Sequence, residues 1–96
     1  MNKYLVTIQF EWNDETMALI PEHRAYINEL ITQHALEHYA VSMETQNLWI
    51  TINAESKAAV KKILSLSPFY KYWSLQIAEL MIWDGQNYRL PVIQWN

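Results

Sequence analysis

The chain of 96 residues contains no cysteine. Disulfides, thiolate metal sites and cysteine nucleophiles are therefore excluded. Basic runs are also missing, and the formal net charge is -3 at pH 7. Because contacts to phosphate groups need a basic face, we expect no nucleic-acid partner.

No apolar run approaches the length of a membrane span. The first residues have the pattern of a strand rather than of a secretory signal. We therefore expect a soluble cytoplasmic protein with no membrane partner. The length predicts a single domain over residues 1–96, with one modest core that removes about two-thirds of the unfolded surface from water.

Aromatic residues, by contrast, are plentiful: there are five Trp, six Tyr and two Phe. This is more aromatic surface than one small core takes in. We expect part of it to lie in a subunit interface or to line a pocket.

Residues 3–12 predict a β-strand around which the rest of the chain is arranged. Its residues alternate between two faces, with β-branched and aromatic side chains on the apolar one, which is the signature of a strand. The apolar face holds Tyr4, Val6, Ile8, Phe10 and Trp12. The opposite face holds Lys3, Leu5, Thr7, Gln9 and Glu11.

The apolar spacing that follows predicts a helix over residues 15–36. Proline is tolerated in the first turn of a helix, so the helix either begins near Pro21 or is kinked there. His23 and His34 are eleven residues apart, close to three turns. We expect both on the stripe of this helix that faces the sheet.

The remaining pattern predicts strands over 38–43, 47–54 and 73–83, a helix over 57–66, and an extended segment over 88–95. Both faces of the 73–83 strand are apolar, so the sequence does not decide which of its side chains face the helices. The order is that of an α+β, ferredoxin-like βαββαβ fold with an extra C-terminal strand, and both helices cover one sheet face. Pro91 favours an edge strand, or an arm that reaches onto a partner.

The sheet face that the helices leave bare is also apolar in part. We expect it to hold Leu5, Trp49, Ala78, Leu80 and Ile82. Such a face does not stay in water readily, so we expect a homodimer with the two sheets face to face.

Four segments of the chain resemble the muconolactone isomerase-like proteins. They are residues 3–7, 19–27, 48–50 and 68–72, and the resemblance extends over residues 3 to 83. The Pro68–Tyr72 turn into the last long strand is its most distinctive part. The resemblance implies a dimeric α+β barrel, related more distantly to the YCII-type proteins, and a cofactor-free isomerase with histidine as acid or base.

The same resemblance singles out two candidate catalytic histidines. His23, after Pro21, matches a histidine of the YCII-type proteins, and His38 matches one at the start of the second strand in muconolactone isomerases. Two departures accompany these matches. The acidic partner expected near Thr32 or Gln33 is missing, and Glu37 stands where the isomerases have an arginine.

Other residues are candidates for a ligand pocket. Its walls would be formed by Trp12, Tyr26, His34, Trp49 and Tyr72, together with Phe69 and Trp73. The alternative for all of these residues, and for His23, is an ordinary place in the core or an interface. Glu11 is either a proton-abstracting carboxylate enclosed in the dimer or a solvated strand end.

We expect no metal site. His34 and His38 have the four-residue spacing of helical zinc ligands, but His38 is predicted to open a strand. Only Glu37 offers a third ligand, and catalytic zinc needs three protein ligands.

Two functions of different classes follow from the sequence. The first is an isomerase that acts on a small unsaturated or aromatic-derived anion, with His23 or His38 as the acid-base group. The second is a homodimeric module without catalysis, which binds a small ligand or serves a structural role.

Overall fold

The computed structural model describes residues 1–83 of the chain. They form an α+β fold with one four-stranded antiparallel sheet and three helices. The predicted segment at 88–95, with Pro91, lies outside the described residues.

The first strand is central to the sheet, as its alternation predicts. β1 (Asn2–Phe10) pairs on one side with β3 (Asn47–Ala54) and on the other with β4 (Trp73–Leu80), while β2 (Leu36–Ser42) lies beyond β3. The resulting order, β2-β3-β1-β4, is compatible with the ferredoxin-like arrangement.

The predicted helix over 15–36 is in fact two helices. α1 (Asp14–Met17) is a single short turn that Asn13 caps, and α2 (Ile20–Thr32) has Pro21 in its first turn. Of the two alternatives for Pro21, a helix that begins near it and a helix that is kinked there, the structure shows the first. α2 ends early because His34 adopts a left-handed conformation with φ of 63°, which takes the chain out of the helix.

α3 (Lys57–Leu64) begins at the predicted cap, where the Ser56 side chain accepts a hydrogen bond from the Ala59 amide. α2 and α3 cover one face of the sheet and enclose the core with it. The core consists of Tyr4, Val6, Ile8, Ile27, Leu30, Leu36, Leu48, Ile50, Ile52, Ala54, Val60 and Leu64.

β2 starts two residues earlier than the sequence predicts and contains an irregularity. Leu36 pairs with Ile52 whereas His38 pairs with Thr51, so Glu37 is an extra residue, as in a β-bulge. The bulge lets Leu36 and Tyr39 both face the helices.

The extra residue also brings two charges together on the other side of the sheet. Glu37 forms an ion pair with Lys3, which is buried, and accepts a hydrogen bond from the Asn53 side chain. Burial lowers the pKa of Lys3.

The phase of β4, which the sequence leaves open, is fixed by its pairing with β1. Leu75 and Ile77 pack against the core, so Ala78 and Leu80 lie on the bare face. Register places Leu5 and Trp49 there too, as predicted. Ile82 lies beyond the end of the strand and is 76% exposed.

None of the helices in the described part of the chain has the length and apolar character needed to cross a membrane.

Two isoleucines one turn apart in α2 provide a matched test of this packing. Ile27 is fully buried whereas Ile31 is 43% exposed. We expect Ile27→Ala to lower the free energy of unfolding by about 2 to 4 kcal/mol, because it leaves a cavity in the core. Ile31→Ala should cost less than about 1 kcal/mol. Urea unfolding measures both, and equal losses would contradict the placement of α2.

Candidate functional site

A cavity of about 190 Å³ opens between the start of α2, the end of β1, β2 and the segment that enters β4. Its walls are mostly apolar and aromatic. They consist of Phe10, Glu11, Trp12, Thr16, Ile20, His23, Arg24, Tyr39, Val41, Met43, Leu48, Phe69, Tyr72 and Trp73. Concave apolar sites with a few polar groups are the usual form of small-molecule sites.

The segment between α3 and β4 forms part of the cavity wall, through Phe69 and Tyr72. After α3 the chain turns at Ser67, whose amide donates to the Leu64 carbonyl and whose own carbonyl accepts from the Tyr70 amide. A short 3₁₀ turn (Tyr70–Tyr72) then leads into β4. These turns place Phe69 directly beside His23, with ring centres 4.6 Å apart.

His23 is the polar centre of the cavity. It is only 3% exposed, and both of its ring nitrogens have partners. Nδ1 lies 2.9 Å from the Ser67 hydroxyl oxygen, and Nε2 lies 2.9 Å from the Tyr39 hydroxyl oxygen. The edges and faces of Phe69 and Trp73 complete its surroundings.

This environment favours the uncharged imidazole. Burial and, to a smaller extent, the positive charge of the neighbouring Arg24 guanidinium together lower the pKa of His23 to about 4. At neutral pH the ring is therefore neutral, with one nitrogen that donates a hydrogen bond and one that accepts.

Tyr39 contacts His23 and also lines the cavity. Burial raises the pKa of its hydroxyl, which is opposed by the positive charge of Arg24. The Arg24 guanidinium carbon is 5.9 Å from the centre of the Tyr39 ring. The hydroxyl therefore stays protonated at neutral pH and is available as a hydrogen-bond partner.

The rim of the cavity is held by two contacts to α1. The Tyr72 hydroxyl donates a hydrogen bond of 2.6 Å to a Glu15 carboxylate oxygen, which raises the pKa of Tyr72. The buried Thr16 hydroxyl lies 3.2 Å from the Glu11 carbonyl oxygen. These contacts fix the chain on both sides of Trp12, which lines the cavity between them.

The structure brings together five of the residues that the sequence singles out for the site. The cavity is lined by Trp12, His23, Phe69, Tyr72 and Trp73. Glu11 lines it as well, although its strand phase predicts the bare sheet face, because β1 ends at Phe10.

The other candidates lie elsewhere. His38 is exposed and Trp49 half-buried, and pairing places both on the bare sheet face. The Tyr26 hydroxyl donates to the Ile63 carbonyl and so joins α2 to α3. His34 lies past the far end of α2, so the shared stripe predicted for His23 and His34 is wrong.

Sequence reasoning missed Ser67, Tyr39 and Arg24 as parts of the site. Tyr39 shows the correct strand alternation, but nothing in the sequence indicates that it faces His23. The Ser67-Pro68 pair predicts only the end of a helix. The contact of Ser67 with His23, 44 positions away, leaves no local pattern in the sequence. Arg24 is visible only as the neighbour of His23.

Among residues 1–83, no group of three or more His, Asp or Glu side chains has the arrangement of a metal site. The chain matches no protein-family model, and it matches no curated protein. The resemblance to the muconolactone isomerase-like proteins therefore stays a prediction from the sequence.

The neutral state of His23 predicts how stability depends on pH. Its folded pKa lies below the value of about 6.5 in unfolded chains, so only the unfolded state gains a proton as the pH falls through that range. The contribution of the neutral His23 ring to the free energy of unfolding is fully present above about pH 6.5 and is lost towards pH 4. We expect His23 alone to lower the free energy of unfolding by about 2 kcal/mol between pH 7 and pH 5.

Urea unfolding of the wild type and of His23→Gln at pH 7, 6 and 5 measures this effect. The free energy of unfolding of His23→Gln should depend less on pH, by about the amount expected for His23. Ile27→Ala is the control, because it is destabilised but keeps the imidazole, and its profile should run parallel to that of the wild type. Parallel profiles for the wild type and His23→Gln would show that His23 is not held neutral.

Proposed function

We propose that the protein binds a small unsaturated or aromatic-derived anion in this cavity and isomerises it without a cofactor. The single observation that carries the proposal is the neutral His23, hydrogen-bonded to Tyr39 at the wall of an apolar cavity. The resemblance to the muconolactone isomerase-like proteins supports the same class of reaction.

The cavity walls supply the binding energy for such a ligand. Trp12, Phe69 and Trp73 offer aromatic surfaces to a planar ring or conjugated chain. Arg24 is the cationic side chain among the lining residues, and a guanidinium pairs with a carboxylate through two parallel hydrogen bonds. The acid group of the ligand therefore lies towards Arg24.

The reaction that suits these groups is a shift of a carbon-carbon double bond next to a carbonyl. Tyr39 donates a hydrogen bond to the carbonyl oxygen and stabilises the enolate that forms. Glu11 takes the proton from the carbon beside the carbonyl and returns it to the distant end of the conjugated system. One C–H bond breaks and another forms, so no oxidant or reductant is consumed.

In this scheme His23 acts through Tyr39 rather than on the substrate. With both ring nitrogens engaged, it supports the tyrosine hydroxyl while negative charge develops on the ligand oxygen. His38, on the bare sheet face, takes no part in the proposed proton transfer.

A second candidate is a module that binds the same ligand without converting it. The observation in its favour is that the pKa of His23 is about 4 and that its partners are two neutral hydroxyls. A base this weak contributes little to proton abstraction at neutral pH, so conversion of the ligand would depend on Glu11 as the one base.

We also propose that the protein acts in the cytoplasm as a homodimer, with the bare sheet faces of two copies in contact as in a dimeric α+β barrel. Leu5, Trp49 and Leu80 are half-buried in the single chain, and Ala78 is exposed. A second copy would remove this apolar surface from water.

Binding is tested by a thermal-shift screen with unsaturated lactone acids, keto acids and aromatic acids. A ligand at one hundred times its dissociation constant should stabilise the wild type by about 2.7 kcal/mol. Tyr39→Phe should weaken the binding of any hit about fivefold or more, through loss of one hydrogen bond. Tyr70→Phe is the matched control, because Tyr70 packs on Trp73 outside the cavity lining. No hit in the panel would contradict both candidate functions.

Catalysis is tested by following each hit by proton NMR in D₂O. The isomerase proposal predicts that the wild type exchanges the proton beside the carbonyl, whereas Glu11→Gln binds the ligand but exchanges it at least about a hundredfold more slowly. Bound ligand with no exchange in the wild type would favour the module without catalysis.

The dimer is tested by light scattering with a matched pair of substitutions. Ala78→Asp adds a charge to the bare sheet face, and Ala58→Asp adds the same charge to an exposed position of α3. The wild type and Ala58→Asp should be dimers at micromolar concentration and Ala78→Asp a monomer, because a buried unpaired carboxylate is costly. A monomeric wild type would contradict the proposal.

A further inference from the structure

Ser67 is the buried polar group whose role the proposed reaction leaves open. It is 5% exposed, and its hydroxyl oxygen makes two contacts. The Phe69 amide donates to it at 3.1 Å, and Nδ1 of His23 lies 2.9 Å away. In the first contact the Ser67 oxygen is the acceptor, because a backbone amide only donates.

The hydroxyl has one proton of its own, and it needs an acceptor. Within residues 1–83, the neighbouring atom that can accept it is Nδ1 of His23. When Ser67 donates to Nδ1, the proton of the neutral ring is on Nε2. Nε2 then donates to the Tyr39 hydroxyl oxygen, 2.9 Å away.

The opposite arrangement leaves a buried donor unused. If Nδ1 carried the proton and donated to Ser67, the serine oxygen would accept two hydrogen bonds, and its own proton would have no acceptor among residues 1–83. Buried donors without acceptors are costly, so native structures rarely contain them.

We propose that Ser67 is a positioning residue, which holds His23 with its proton on Nε2 and so directs the Tyr39 proton into the cavity. The inference rests on the proposed function and makes its ligand more specific. Because Tyr39 already accepts a hydrogen bond from His23, it presents a donor to the ligand. The group beside Tyr39 is therefore an acceptor, such as a ketone or lactone carbonyl, rather than an ammonium group, which can only donate.

The tautomer is measured directly by long-range ¹⁵N NMR of the histidine rings at pH 7, with His23 assigned by its loss in His23→Gln. We expect the shift of an unprotonated nitrogen at Nδ1 and of a protonated one at Nε2. Ser67→Ala should lose this preference. Ser65→Ala should keep it, since the Ser65 hydroxyl donates to the Lys62 carbonyl, away from the cavity. A proton on Nδ1 in the wild type would overturn the inference.

Tyr39→Phe keeps the test decisive if Ser67→Ala does not fold. This variant removes the partner of Nε2 but leaves Ser67 in place. The proton should therefore stay on Nε2. A move to Nδ1 would show that Tyr39 rather than Ser67 sets the tautomer, which contradicts the inference.

The consequence for ligands is tested with two molecules of the same shape. Acetophenone has a carbonyl oxygen where α-methylstyrene has a CH₂ group. We expect the wild type to bind acetophenone about fivefold more tightly, as one net hydrogen bond allows. This preference should vanish in Tyr39→Phe and in Ser67→Ala but persist in Tyr70→Phe.

The two experiments separate the inference from the proposed function. Equal affinity of the wild type for both molecules would overturn the inference although the cavity binds ligands. Binding of neither molecule, and of nothing in the thermal-shift panel, would overturn the proposed function, and the nitrogen spectrum would still decide the role of Ser67.

Discussion

The contact on which the site depends is the enclosure of one neutral imidazole between two hydroxyls. His23 comes from α2, Tyr39 from β2 and Ser67 from the turn after α3, so their hydrogen bonds join three parts of the chain that are distant in sequence. A buried imidazole with both nitrogens hydrogen-bonded holds these parts in one arrangement. Loss of either partner would leave a buried polar group without a hydrogen bond to protein or water, which is costly. The aromatic walls then enclose a cavity beside it.

The position of these groups follows from the rest of the fold. The sheet carries the buried face that α2 covers, α2 lies against β2, and the bulge at Glu37 turns Tyr39 towards that helix. Without the extra residue, a strand that begins with the buried Leu36 would direct Tyr39 to the bare face, away from His23. The ion pair of Glu37 with Lys3 supports the bulge from the other side of the sheet.

The sequence predicts the elements with strong periodicity and misses those set by distant contacts. The alternation from Tyr4 to Phe10 identifies β1 and its two faces, and Ser56 marks the start of α3. The end of α2 is missed because the left-handed turn at His34 has no glycine to announce it. His23 is found through the resemblance and through its place on the sheet-facing stripe of the predicted helix. Its partners Ser67 and Tyr39 are 44 and 16 positions away and could not be paired with it from local patterns.

The measurement that tests this account most directly is the titration of His23 by NMR, with its ring Cε1–H signal assigned by comparison with His23→Gln. A neutral, enclosed imidazole predicts a chemical shift that stays nearly constant from pH 8 to pH 5, because the pKa is about 4. A titration midpoint near 6.5 would show a solvated ring, and it would contradict both the site and the chemistry derived from it.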